Sequence, residues 1–519
     1  DKNVGNTKKI TFGSLALGGD EAGNYNLTTT ELTGNVGQIE KKTIAAELKS
    51  GSTITKEYDG TDVVTTALAK DTNYVLNDVV SGDDLSLNAS KASGTYTDGK
   101  NAGDNLNTKF MGLELTGADK DNYALKDDTM DGNYGKITPK TLMATLVGDN
   151  VFTKVYDGTT AVSQALTQGT NYTLDGIVAD SDKVSLVGSG VYNDKNAGDN
   201  KTITFSGLTL TGTGAGNYTI ASTLSGNVGQ ITKKSLVAEL NNGASFTKVY
   251  DGTTAVNTAL VLDSNYAFAE GDVVTGDAVS IDAAKAVGTY ADKNAGSNKA
   301  VNFTNLTLIG TDAGNYELFD MEMGITGASI TPKALTATLT GDNVFTKVYD
   351  GTTAVSQALG TNYTLDGIVA DSDKVLLSAG SGAYNDKNVG NSKTITFSGL
   401  TLGGEGAGNY TIASTLSGAV GQTTRRTVTG SLASGYSFDK VYDGTATASL
   451  GNGYTLSGVV AGDKVPLTAA KGFYDSSAVG NRTVTFSGFS INDGNYLLSM
   501  ADSLSGTGKI TSGSQDHNY

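Results

Sequence analysis

Five short stretches of this chain alternate apolar and polar positions: "IAAEL" from Ile44, "LMATL" from Leu142, "LVAEL" from Leu236, "LTATL" from Leu335 and "VTGSL" from Val428. A period of two predicts half-buried β-strands. In "TITFSGLTL" (202–210) the apolar set is Ile203, Phe205, Leu208 and Leu210, and the register slips by one at Ser206-Gly207. That slip predicts a bulge or a strand break at the glycine. One segment breaks the β pattern. In "TTAVSQAL", Ala161, Val162, Ala165 and Leu166 recur at helical spacing, as do Val63, Val64, Ala67 and Leu68, which predicts one short helix per module. From the Gly before this segment to the Tyr after it the step is 14 residues in three cases, 12 from Gly351 to Tyr363 and 10 from Gly444 to Tyr454. Such variable length marks a peripheral segment.

The pattern repeats as a whole. The motif K-x-Y-D-G-T recurs with its tyrosines at Tyr58, Tyr156, Tyr250, Tyr349 and Tyr442, at steps of 98, 94, 99 and 93 residues. A long-period repeat means a string of homologous modules. The boundaries read as the second half of a module at 1–43, full modules at 44–141, 142–235, 236–334, 335–427 and 428–511, and a disordered tail at 512–519. "GDNVFTKVYDGTTAVSQAL" at 148–166 returns at 341–359, so a two-module unit was duplicated. Junctions such as "QITKKSL" and "KITPKTL" leave two residues between apolar positions, with no flexible linker. Few contacts between modules are expected, and a semi-rigid rod. Strands of about ten residues at about 3.3 Å each make modules about 35–45 Å long and five of them on the order of 200 Å.

Composition agrees with polar-faced strands and glycine turns. The 519 residues include 68 Gly, 3 Pro, no Cys and no Trp, with 18% charged. The net charge of −17 and the absence of any basic run disfavour nucleic acid. No stretch approaches 18 apolar residues, so no membrane span is expected in this fragment. The opening at mid-module implies a piece of something longer.

Candidate chemistry is thin. His517, the one histidine, sits in the polar tail, and without His or Cys the usual nucleophile–base pairs are missing. The module 142–235 has no Glu to share a glycosidase's carboxylate pair. No catalytic, cofactor-binding or metal-binding residue is assigned, no cofactor is expected, and the chain reads as a non-enzyme. The Asp-rich turns "ADSDK" (179–183 and 370–374) and "DKNAGDN" (194–200) gather oxygen donors that calcium would use, and are equally ordinary turn formers. An isopeptide crosslink from Lys154 to a buried Asn is conceivable. Tyr25, Tyr123, Tyr218, Tyr316, Tyr410 and Tyr496 each follow an Asn before a late strand. "TDAGNY" at 311–316 is similar to the tyrosine corner of immunoglobulin-like sandwiches, with a core hydroxyl bonded to backbone. The other reading is an exposed sugar-stacking platform.

"KVYDGTT", "GDxV", "DKNAG" and "GNY" recur in fixed order, and with them the chain resembles YDG/MBG-type modules. These occur in large surface exoproteins of Gram-negative bacteria, many of them filamentous-haemagglutinin-like and exported by two-partner secretion. The resemblance spans residues 1 to about 511. It implies a β-rich stalk at the bacterial cell surface, extracellular, for adhesion, aggregation or biofilm formation. It brings no catalytic residue. The fifth module departs at Ser476-Ser477-Ala478, where "DKNA" is lost.

The expected fold is mainly β: a tandem array of about 95-residue immunoglobulin-like β-sandwich modules in an elongated rod, with β-grasp-like modules carrying one short helix each as the alternative. Alternatives to an adhesin are a structural subunit or spacer of a surface fibre or layer and, more weakly, carbohydrate-binding modules. The expected partners are host or bacterial surface glycans or proteins, or other copies in a fibre. Small-angle scattering of the fragment should give a maximum dimension several times that of a compact sphere of equal mass; a globular profile would overturn the rod.

Overall fold

A computed structural model describes residues 1–513, which fall into two compact units. One holds Asp1–Leu236, Glu270–Val279 and Ile309–Glu317; the other holds Val237–Ala269, Ser280–Leu308 and Leu318 onward.

In the first unit the module 142–235 shows the plan. Its strands are β1 (Met143–Leu146), β2 (Phe152–Val155), β3 (Tyr172–Asp175), β4 (Ser185–Tyr192), β5 (Gly198–Thr211), β6 (Tyr218–Thr219) and β7 (Thr223–Thr232). A four-stranded sheet runs β2-β7-β5-β4, with β2 and β7 parallel and the other pairs antiparallel. Opposite it, β1 pairs with β3 antiparallel, and Lys140–Thr141 pairs with β6 in parallel. The inner rows meet as Phe152, Tyr172, Leu186, Tyr192, Ile203, Phe205, Leu224 and Ile231, all buried. On β5 the outward Thr202 and Thr204 bond Asn227 and Ser225 across the ladder, so alternation puts hydroxyls outside and a dry core inside. The module 44–141 repeats this plan.

The slip at Ser206-Gly207 is a bulge. Gly207 adopts φ +61°, and the pairing with β4 shifts between Val187 and Ser189. A second irregularity, which the pattern did not announce, lies at Asn200, left-handed at φ +52°, where the β5–β7 register shifts.

The second unit repeats the four-stranded sheet three times, in the orders KVY strand, last strand, central strand, edge strand. The KVY strands are Thr247–Val249, Phe345–Val348 and Lys440–Val441. In the last of these sheets the central Gly480–Ile491 pairs without a register shift. Its loop is one residue shorter than "DKNAGDNK", so the bulge has no extra residue to accommodate.

The expected helices are absent, and with them the helical alternative for the module; the described residues contain 3-10 turns of three residues and no α-helix. The segment at 161–166 is an irregular edge. Val162 N–H donates to Gly190 O and Tyr192 N–H to Thr160 O, and Ala161 bridges Val191. Asn171 then takes Ala165 O and Thr167 N–H with its side-chain amide. These bonds satisfy the backbone polar groups that a helical turn would have paired, and the β-branched Thr159, Thr160 and Val162 favour the extended path.

Residues 1–43 fold as one hairpin, Gly5–Phe12 against Leu32–Ile39. None of its large side chains is buried; Leu32 is 62% and Val36 80% exposed. Ile10 and Leu15 are half-buried, whereas Phe12 and Leu17 are exposed. Among the described residues the hairpin lacks the parallel KVY neighbour that each full module provides. Of the tail expected at 512–519, residues 514–519 with His517 lie outside the described residues. Amides of residues 9–17 should exchange far faster than those of 202–210 in the same protein; strong, concentration-independent protection at 9–17 would show the hairpin stable without neighbours.

Candidate functional site: the joint between modules

The motif tyrosines sit at the ends of the KVY strands, where Tyr156 N–H closes on Thr232 O. The Asp that follows caps its own turn: Asp157 accepts Thr159 N–H at 2.8 Å and Lys154 Nζ at 2.7 Å. Lys154 also lies 5.4 Å from the Tyr192 ring. Among the described residues the hydrogen-bond partners of its ammonium are Asp157 and Thr159, and no asparagine is one of them.

The tyrosine side chain points away from its own sheet into the next module. Tyr58 Oη donates to Asp182 at 2.8 Å, and Tyr218 Oη donates to the same carboxylate oxygen at 2.8 Å. The two rings meet edge-to-face with centroids 5.3 Å apart. Asp182 belongs to "SDKV", the "GDxV" position, and Tyr218 to "GNY". Tyr218 Oη also accepts Val178 N–H at 3.1 Å. From the other side Ala102 N–H donates to Asn217 Oδ1 at 2.8 Å, and Asn217 Nδ2 returns a bond to Asn101 Oδ1 at 3.1 Å. The four motifs thus converge: YDG and DKNAG from one module, GDxV and GNY from its successor.

The arrangement recurs. In the first unit Tyr156 and Tyr316 share Asp277 at 2.7 and 2.6 Å, and Lys195 adds a salt bridge at 3.2 Å. In the second, Tyr250 and Tyr410 share Asp373 at 2.9 and 2.6 Å. There too, Tyr349 and Tyr496 share Asp463 at 2.8 and 2.6 Å. Each GNY asparagine holds the preceding loop at Ala197, Ala295 or Val389. The hairpin 1–43 keeps the loop half: Val4 N–H donates to Asn122 Oδ1, and Lys2 pairs with Asp83. Asp83 there takes one tyrosine hydroxyl, from Tyr123.

These contacts correct two expectations. The junctions are built interfaces rather than bare two-residue hinges. The late tyrosine bonds a side-chain carboxylate as well as backbone. The motif tyrosines are buried in four modules, at 1% exposure, whereas Tyr442 is 53% exposed. Of the Asp-rich turns, Asp182 and Asp373 are the buried joint carboxylates, and Asp194 pairs with Lys201 at 2.6 Å. Among the described residues no group of three or more His, Asp and Glu is placed to hold a metal.

The electrostatics follow from the bonds. Burial disfavours the Asp277 carboxylate, but the hydroxyls of Tyr316 and Tyr156 and the Lys195 ammonium outweigh it and hold its pKa below the ordinary value. The Tyr496 and Tyr349 hydroxyls do the same for Asp463. Burial, reinforced by the Asp, pushes Tyr250, Tyr349 and Tyr496 up to about 12. Charge-assisted bonds of this kind compensate a carboxylate for lost water.

The motif glycine has two reasons to be glycine. Gly158 sits at φ +78°, and a Cβ there would stand 2.7 Å from Val274 Cγ1 in the next module. Gly60 and Gly351 likewise face Ala179 and Val460.

A family model described as the YDG domain matches residues 40–130, 138–225, 232–323, 331–417 and 424–503. The chain belongs to the YDG-domain family. No curated protein matches it. The tyrosine for which the YDG domain is named is, in four of five copies, the residue that grips the following module. Each motif was visible in the sequence, but the pairing was not. One available signal was the exchange of Lys and Asn for Ser477 and Ala478 in the fifth loop, which changes the loop motif alone.

Three outcomes are expected. Gly158→Val should cost roughly 1–3 kcal/mol from φ alone, and calorimetry should show the modules on both sides of the joint affected. Asp182→Ala should cost about 1–3 kcal/mol for each hydroxyl left unpaired and split the coupled melting of its two neighbours; an unchanged trace would overturn the joint. Acid should loosen the Asp277 and Asp463 joints. Their folded pKa values are depressed, so their stability is complete above about pH 4 and lost as pH falls through the folded values. Asp277→Asn should remove part of that acid dependence in melts taken between pH 7 and pH 2.

Proposed function

We propose that this chain is the extracellular repeat region of a bacterial surface adhesin, a stalk that carries adhesion, aggregation or biofilm formation outward from the cell. The observation that carries the reading is the joint. All four recurrent motifs go into holding one module to the next, and a device repeated for that purpose suits a part whose work is spacing and load. The resemblance to filamentous-haemagglutinin-like exoproteins supplies the context of Gram-negative cells and two-partner secretion. The partners in this reading are glycans or proteins of host or bacterial surfaces, or other copies in a fibre.

The purely structural reading, a spacer or subunit of a surface fibre or layer, draws support from the same observation. A lectin reading is weaker, because the motif and GNY tyrosines, Tyr25 and Tyr442 apart, are buried at the joints rather than presented to a sugar. No helix among the described residues is long and apolar enough to cross a membrane.

Deleting these modules from the gene should lower attachment and biofilm mass and leave growth unchanged, with the protein detected by antibody on intact cells. Substituting Asp182, Asp277, Asp373 and Asp463 together by Ala should keep surface display but reduce attachment under flow. Unchanged attachment in the deletion strain would overturn the adhesin reading, and unchanged attachment in the displayed substitution strain would overturn the role of the joints.

A further inference from the structure

We propose that the exposed face around Tyr442 on the last module is a docking site for another YDG module, which it grips through that module's GDxV carboxylate and GNY asparagine. The face is built like the occupied ones. Tyr442 N–H closes on Thr511 O at 2.8 Å, as Tyr156 closes on Thr232. Asp443 accepts Thr445 N–H at 2.8 Å and Lys440 Nζ at 2.9 Å, so the turn that aims the tyrosine is formed. Gly444 keeps φ +81°, and a Cβ there would meet open space, where Gly158 and Gly351 meet a valine of the next module.

Tyr442 adds nothing to its own module's core. Its side chain is 53% exposed, against 1% for the other four. Val479, at the place of Ala197 and Val389, is 50% exposed. Among the described residues nothing covers this face, and the same face in the preceding modules is covered each time by one kind of partner. The occupant is therefore defined by chemistry: a buried carboxylate with a tyrosine hydroxyl beside it, an asparagine amide for the loop, and a small apolar residue over the glycine.

The loop is altered. Ser477 and Ala478 stand where Lys195 and Asn196 supply a salt bridge to Asp277 and an acceptor for Asn315 Nδ2. The site retains the tyrosine hydroxyl, the open glycine and the backbone N–H of Val479. It should seat a module less tightly than the internal joints do, and Ser477→Lys with Ala478→Asn should tighten it.

Nitration by tetranitromethane, read residue by residue by mass spectrometry, tests this on the full chain. Tyr442 should react at least about tenfold faster than Tyr349, which reacts only through local opening. The chain is then extended at its end by a second copy of residues 331–427, which brings its own acceptor face and no second Tyr442. Tyr442 should fall toward the Tyr349 rate, fall further with S477K and A478N, and recover when the copy's counterpart of Asp373 is replaced by Ala. A slow Tyr442 in the unextended chain would mean that another segment of this molecule covers the face, and overturns the proposal. So does a Tyr442 that stays fast in the extended chain, or one whose protection ignores the aspartate.

Discussion

One carboxylate shared by two tyrosine hydroxyls is the contact on which the joints rest. A buried Asp is costly to desolvate, and Asp182 keeps 9% of its surface. The cost is offset because both donors are phenols that have little else to bond at that depth. Two of the three groups come from one module and the third from its neighbour, whose hydroxyl completes the carboxylate's bonding.

The rest of the joint serves that triad. The asparagine of GNY bonds backbone and side chain of the preceding loop, which sets the distance between modules. The second tyrosine accepts a backbone N–H with the same oxygen that donates to the Asp, which fixes the angle of its hydroxyl. The glycine of YDG turns the chain and leaves room for the neighbour's valine or alanine. Lysine, where present, adds charge from the solvent side and matters least, because exposed pairs contribute little. It is absent from the last loop, with the asparagine, while the tyrosine and glycine persist there.

The two-sheet module itself is held by ordinary means. Alternation sends Ile203 and Phe205 inward and threonines outward, and the KVY strand closes the sheet by pairing in parallel with the last strand. The hairpin at 1–43 shows the converse. Its apolar row is like those of the modules, but among the described residues no KVY strand and no opposing sheet pairs with it, and none of its large side chains is buried.

The sequence alone determined the module count, the β class, the irregularity at Gly207 and the inward rows, because each depends on residues within a few positions of one another. It misled at 161–166, where spacing looked helical; the edge strand and the Asn171 amide offered those backbone groups other partners, and neither is visible from periodicity. It could not assign the joint. Every full module carries the YDG tyrosine, the joint aspartate and the late tyrosine, so a Tyr paired with the Asp of its own module and a Tyr paired with that of the next make identical sequence patterns. The direction in which Tyr58 leaves its sheet, toward an Asp 124 residues away, is set by the twist and closure of the folded sheets, and only the tertiary structure could decide it.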